Sequence, residues 1–223
     1  MRKHRSADPP SLPVHVGIIM GGGKSEYFYR RKGLEAVKRV VKAASDMRIR
    51  FLTLFPIPAF LTDLIRIHLK NELRFYRENR IKIIHSGDLA GMPPEESKEI
   101  KAAVTATEDY DGLRVNFALN YSGRDEIVRA SIRWLNGQPS KDRAQLKITE
   151  DELANCLDHP GMPDVDLVIR TGGEMKISSF LIWKSAYAEL FFSPLLWPDW
   201  SGKDLEEAVS EYQQRERRFG STN

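Results

Sequence analysis

Short apolar runs alternate along the chain with longer segments whose apolar positions recur every three or four residues. That pattern predicts strands alternating with helices. The run over 14–20 ends in Gly21-Gly22-Gly23 and reads as a buried strand followed by a flexible turn. Leu34, Val37, Val40, Val41 and Ala44 then fall at helical spacing, predicting a helix over 34–47. A strand over 51–55 is cut off by Pro56 and Pro58. Leu61, Leu64, Ile65, Ile67, Leu69, Leu73 and Tyr76 predict one long amphipathic helix over 60–79. Further strands are predicted over 81–84, 113–119 and 165–169. Helices are predicted from Pro93-Pro94 to about Glu108, from Arg124 to about Leu135, and from Ser201 to Arg218. Thr149-Glu-Asp-Glu152 has the form of a capping box opening a short helix. The expected fold is α/β, a single mostly parallel sheet flanked by helices. A flexible leader is expected over 1–13 and one domain over 14–220.

Composition narrows the function more than the fold. With 34 basic and 31 acidic residues the formal charge is only +3, so no global field points to nucleic acid. No apolar run reaches the roughly 20 residues that a membrane span needs. The single cysteine, Cys156, excludes an internal disulfide, and the five histidines lack metal-ligand spacing. Arg2, Lys3, His4 and Arg5 are followed by no apolar core, so the start of the chain does not read as a signal peptide. The expectation is a soluble, cytoplasmic protein with possible work at a membrane surface.

Candidate chemistry concentrates between Asp166 and Phe192. A strand ends at Arg170, two glycines follow, and Lys176, Ser178 and Ser179 come within the next few positions. Arginine offers a planar fork to phosphate oxygens, lysine a point charge and serine a hydroxyl, which together suit an anion site at the carboxyl edge of an α/β sheet. A strand–turn–helix unit whose basic residues are merely solvated explains the same spacing. Gly23-Lys24-Ser25 invites comparison with a phosphate-binding loop, but the glycine that motif needs five residues earlier is Ile18.

Arg170-Thr-Gly-Gly-Glu174, Ile177-Ser-Ser-Phe-Leu181, Ala186-Tyr-Ala-Glu-Leu190, Leu196-Trp-Pro-Asp199 and Arg215-Glu-Arg-Arg-Phe-Gly220 resemble the C-terminal signature of the cis-prenyltransferases, the undecaprenyl (polyprenyl) diphosphate synthases. His15 to Met20, Leu52 to Phe55 and Asn120-Tyr-Ser-Gly-Arg124 fall in that family's order, so the resemblance runs from about Leu12 to Gly220. It implies condensation of isopentenyl diphosphate onto an allylic diphosphate such as farnesyl diphosphate, making a cis-polyprenyl diphosphate precursor of a lipid carrier. It also implies Mg²⁺ as cofactor, a homodimer, and membrane contact only through the lipid product. By position it assigns isopentenyl diphosphate binding to Arg170, Lys176 and Ser178, with Lys176 standing where an arginine is usual. Gly22 and Gly23 fall at the substrate-binding turn, Arg218 matches a tail that reaches the partner's site, and Glu189 matches a metal-holding glutamate. The Tyr187 to Phe192 stretch corresponds to the dimer interface.

Two departures bear on activity. The family carries Met-Asp-Gly-Asn at the first turn, and its Asp binds Mg²⁺ at the catalytic centre; Gly21 stands at that position here. A second active-site loop after Phe55 is missing or cut down. Loss of the metal-binding Asp is expected to impair turnover. The alternative reading is a non-catalytic, cis-prenyltransferase-like partner subunit.

Overall fold

The apolar runs become six strands of one sheet, in the order β3-β4-β2-β1-β5-β6, with every pairing parallel. The computed structural model describes residues 11–21, 26–56, 62–139 and 146–215. The strands are β1 (His15–Ile19), β2 (Phe51–Phe55), β3 (Lys82–Ser86), β4 (Arg114–Ala118), β5 (Leu167–Arg170) and β6 (Glu189–Phe192). Parallel strands need crossovers, and the helices that supply them cover the sheet, so β1 and β5 are buried at every position. The crossovers include α1 (Glu26–Asp46), α2 (Leu73–Glu78), α3 (Pro94–Thr105), α4 (Gly123–Asn136) and α5 (Glu150–Ala154). The last helix, α6 (Gly202–Gln214), follows β6.

Alternation along the strands divides the core in two. Val16, Ile18, Leu52, Leu54, Ile83, Val115, Phe117, Leu167 and Ile169 join residues of α1, α3 and α6 in the larger cluster. Ile19, Phe51, Ile84, Ala118 and Val168 point to the other face, under Met162, Phe180 and Leu181. That second face also buries a polar chain across four strands. His15 Nε2 lies 2.8 Å from Thr53 Oγ1, Asn116 Nδ2 donates to the same hydroxyl at 3.3 Å, and Ser86 Oγ donates to Asn116 Oδ1 at 3.1 Å. His15 Nδ1, 2.9 Å from the Pro163 carbonyl, ties the chain to the covering loop. His15 is therefore a structural residue.

Three expectations change. The single helix over 60–79 is broken: Leu64–Leu69 is π-helical, and α2 begins only at Leu73. Burying His68 against Tyr76, with Nε2 2.7 Å from the hydroxyl, takes precedence over regular winding and leaves Ile67 exposed. The final helix stops at Gln214, because Arg215 turns extended (φ −82°, ψ 137°). The apolar segment after the candidate anion loop holds an edge strand, β6, reached through turns and without a helix between. The capping box at Thr149 forms, with Thr149 Oγ1 accepting from Glu152 N at 3.2 Å. Of the expected leader, residues 1–10 lie outside the described residues.

Burial pulls the pKa of His15 down to about 4 and that of His68 to about 3. Asp166 and Lys184 act on His15 with opposite signs, and Lys38 adds to the lowering at His68. Both values lie below that of a free imidazole, so between them and about pH 6.5 the unfolded chain binds protons that the folded chain does not. This stabilisation is complete above about pH 6.5 and drains away as pH falls toward 4. Urea titrations should lose about 3 kcal/mol between pH 7 and pH 5. A pH-independent urea midpoint over that range would show that the two rings are not held neutral.

Candidate functional site

β1 and β5 are neighbours, with Ile19 opposite Arg170, so the turns after both strands meet at the carboxyl edge of the sheet. Gly21 is buried there and clamped from both sides. Its amide donates to Thr171 Oγ1 at 2.8 Å, and its carbonyl accepts from Trp197 N at 2.9 Å. A Cβ on Gly21 would sit 1.8 Å from the Thr171 carbonyl oxygen and 2.8 Å from its carbon. The obstruction is backbone, so no rotamer relieves it. Thr171 is the residue that closes this corner, and no local pattern singles it out. Gly22 and Gly23 lie outside the described residues, as do Lys24 and Ser25.

Arg170 closes β5 with its side chain only 8% exposed. Gly172 (φ 90°) and Gly173 (φ 77°) then turn the chain through backbone angles that glycine adopts freely. Their amides donate to the Leu195 and Ser193 carbonyls at 2.7 and 2.9 Å, fixing the turn against the segment after β6. The loop returns Glu174 onto the Arg170 guanidinium, and Lys176 Nζ lies 3.4 Å from the same carboxylate. Arg170, and after it Lys176, hold the Glu174 carboxyl below its ordinary pKa. Two cations thus share one carboxylate, and Arg170 Nε is buried with no hydrogen-bond partner. A buried guanidinium with an unused N–H and, among the described residues, one half-exposed carboxylate as counter-charge is poorly compensated, and an anion entering the loop would complete it. Ser178 stands exposed at φ 53°, and Ser179 Oγ lies 2.8 Å from Ser122 Oγ at the start of α4.

That serine pair joins the loop to a cleft of about 410 Å³ over the ends of β2, β3 and β4. Phe55, Asp88, Asn120, Tyr121, Ser122 and Asp125 line it. Phe55 packs against Tyr121 and Phe180, with ring centroids 6.0 and 5.6 Å apart, so the cleft has an apolar floor beside a cationic loop. Tyr121 donates to Glu126 Oε2 at 2.5 Å, and burial with that carboxylate raises its pKa strongly. Sequence reasoning took Asn120 and Tyr121 only as part of a motif and missed Asp88 and Asp125. Asn120 sits at φ 47°, a backbone region that asparagine tolerates.

Glu189 is not brought to this edge. It opens β6 opposite Leu167, whereas Phe192 is the residue opposite Arg170. Three residues of strand separate the two rows by about 10 Å. Its carboxylate is held by Arg215 Nη1 at 3.0 Å. Arg218 lies outside the described residues. Among the described residues no three carboxylate, imidazole or thiol groups gather to hold a metal ion. Gly21 supplies no ligand, and Glu189 is committed elsewhere. Among the described residues, therefore, one chain does not form a site for the implied Mg²⁺.

The chain is similar to known proteins along most of its length. The prenyltransferase family described as undecaprenyl diphosphate synthase matches residues 22–220. An isoprenyl transferase of Treponema denticola is 40% identical, covering 93% of this chain and 97% of its own. A ditrans,polycis-undecaprenyl-diphosphate synthase ((2E,6E)-farnesyl-diphosphate specific) of Vibrio vulnificus is 34% identical, covering 95% of this chain and 92% of its own. Among solved structures, a probable undecaprenyl diphosphate synthase from Campylobacter jejuni superposes with a TM-score of 0.80 at 27% identity, over 95% of this chain and 100% of that one. Lavandulyl diphosphate synthase from Lavandula x intermedia, in complex with dimethylallyl diphosphate, gives 0.80 at 25% identity, over 94% and 99%.

Proposed function

The chain belongs to the undecaprenyl diphosphate synthase family of cis-prenyltransferases, and from that premise we propose that it binds isopentenyl diphosphate at Arg170, Lys176 and Ser178 while its turnover is impaired at Gly21. The buried Arg170 with its unpartnered Nε carries this reading. A diphosphate offers oxygens to both edges of the guanidinium and displaces Glu174, which swings into solvent and relaxes toward Lys176. Lys176 adds charge without the two-pronged geometry of an arginine, so its share of the affinity is smaller. Ser178, exposed on the same loop, adds a hydroxyl donor to that group.

The reaction of the family joins this donor to an allylic diphosphate, such as farnesyl diphosphate, as the allylic diphosphate group departs. The cleft floored by Phe55 and Tyr121 lies next to the donor loop and suits the apolar part of that second substrate. Departure of the diphosphate needs its developing charge neutralised, and Mg²⁺ supplies that chemistry in metal-dependent prenyl transfer. Gly21 offers no side-chain oxygen at the corner where the family resemblance places the metal-binding Asp. Slow or absent condensation follows from that loss.

Homodimerisation is supported by the exposed edge of the sheet, where Tyr187 is 72% and Leu190 37% exposed beside and on β6. A monomer mass in sedimentation equilibrium would remove this part of the reading. No helix among the described residues is long and apolar enough to cross a membrane, which supports work in the cytoplasm with membrane contact through the lipid product. Calorimetric titration of isopentenyl diphosphate into the unaltered chain tests the donor site. Saturable binding of one molecule per chain is expected, and a flat titration would refute the assignment.

A further inference from the structure

At the opposite end of the sheet a second cleft, of about 600 Å³, opens over the first residues of β2, β3 and β4. We infer that this amino edge is a second anion site, taking a small phosphate ester with an aromatic or other apolar part. Three basic residues converge on it: Arg50, Lys82 and Arg114. Strand register sets them side by side, because Lys82 lies opposite Arg114, Arg114 lies opposite Phe51, and the Arg114 amide donates to the Arg50 carbonyl at 3.0 Å. Phe51, Ile84 and Met162 supply apolar wall, and among the described residues no carboxylate lines the cleft.

Like charges placed opposite one another in a sheet repel, and several other arginines of this protein are balanced. Arg66, Arg80, Arg129, Arg133 and Arg215 each pair with a carboxylate. Among the described residues Arg50 and Arg114 have no carboxylate partner, and Lys82 Nζ spends one N–H on the Glu108 carbonyl at 2.7 Å. Arg114 lies over the Phe51 ring, 5.1 Å from its centroid. That stacking fixes the plane of the guanidinium and leaves its N–H edges to bind. Phosphate matches the charge and the fork, and the adjoining walls match an apolar substituent. Five strand residues separate this edge from Arg170, about 16 Å, so the site is distinct from the candidate donor site.

Phenyl phosphate titrated into the Arg170→Gln protein, which silences the other edge, reads this site alone. One bound molecule per chain is expected, with affinity falling at least tenfold in Arg50→Gln and in Arg114→Gln on that background. Lys98→Gln, which removes an equal charge from an exposed position, should change it less than twofold. Arg50 is exposed, so its variant keeps the test valid if Arg114→Gln fails to fold. Phosphatidylglycerol vesicles form a second arm. Retention that Arg50→Gln abolishes would assign the phosphate to a lipid headgroup, and phenyl phosphate binding without retention would assign it to a soluble ligand. Binding to neither probe, or binding that Arg50→Gln and Lys98→Gln weaken equally, would overturn the inference.

Discussion

Gly21→Asp destabilises the protein and does not restore prenyl transfer. The substitution reinstates the residue that the family resemblance calls for, yet the backbone here leaves it no room. Its Cβ would meet the Thr171 carbonyl oxygen at 1.8 Å, well inside van der Waals contact. Relief requires the turn after β1 or the turn after β5 to move. The first is held by Trp197 N on the Gly21 carbonyl, with Trp197 fully buried, and the second by Leu195 and Ser193 on the glycine amides. Overpacking against side chains costs about 1–3 kcal/mol, and an obstruction made of backbone belongs at the upper end or beyond. A loss of about 3 kcal/mol lowers the melting temperature of a chain of this size by roughly 6–12 °C. Gly21→Ala should melt almost as early, since the clash begins at Cβ. An unchanged melting temperature in Gly21→Asp, together with new long-chain product, would show that this corner opens freely.

Arg170→Gln lowers affinity for isopentenyl diphosphate by about 100-fold or more. Each hydrogen bond to a charged group contributes about 1.5–3 kcal/mol, and the guanidinium can offer two to a diphosphate. Glutamine keeps most of the side-chain volume, and the Glu174 carboxylate left behind is half-exposed, so the fold should survive. Glu174→Gln should act in the opposite direction, tightening binding several-fold by removing the carboxylate that competes for Arg170. Equal affinities in all three proteins would place the diphosphate elsewhere.

Much of the architecture is legible in the pattern of apolar runs because a parallel sheet covered on both faces demands them. Val14 to Met20 and Val165 to Ile169 each bracket a buried strand to within a residue or two, and Thr149 caps the short helix that its motif predicts. What the pattern misses depends on partners distant in sequence. Periodicity alone favours one helix over 60–79, but His68 needs the Tyr76 hydroxyl and the interior beside Phe117, which breaks the winding. β6 is a four-residue edge strand with one half-buried acid at its start, too short to announce itself. At the site, Arg170, Gly172, Gly173 and Lys176 are close in sequence and fold into one loop. Glu189 follows them by little more than a dozen positions, yet parallel pairing with β5 carries it to the far end of β6. The closure around Gly21 comes from Thr171, which lies 150 residues away in the chain.

Donor binding without transfer can be read in one sample. Labelled isopentenyl diphosphate is incubated with the unaltered chain, excess farnesyl diphosphate and Mg²⁺, and bound and incorporated label are counted separately. The expected result is stoichiometric bound label with incorporation at least about 100-fold slower than in the Treponema denticola isoprenyl transferase run beside it, as the loss of several kcal/mol of charge stabilisation dictates. Incorporation into long-chain product within about tenfold of that relative would contradict the impairment assigned to Gly21, and absence of bound label would contradict the site assigned to Arg170.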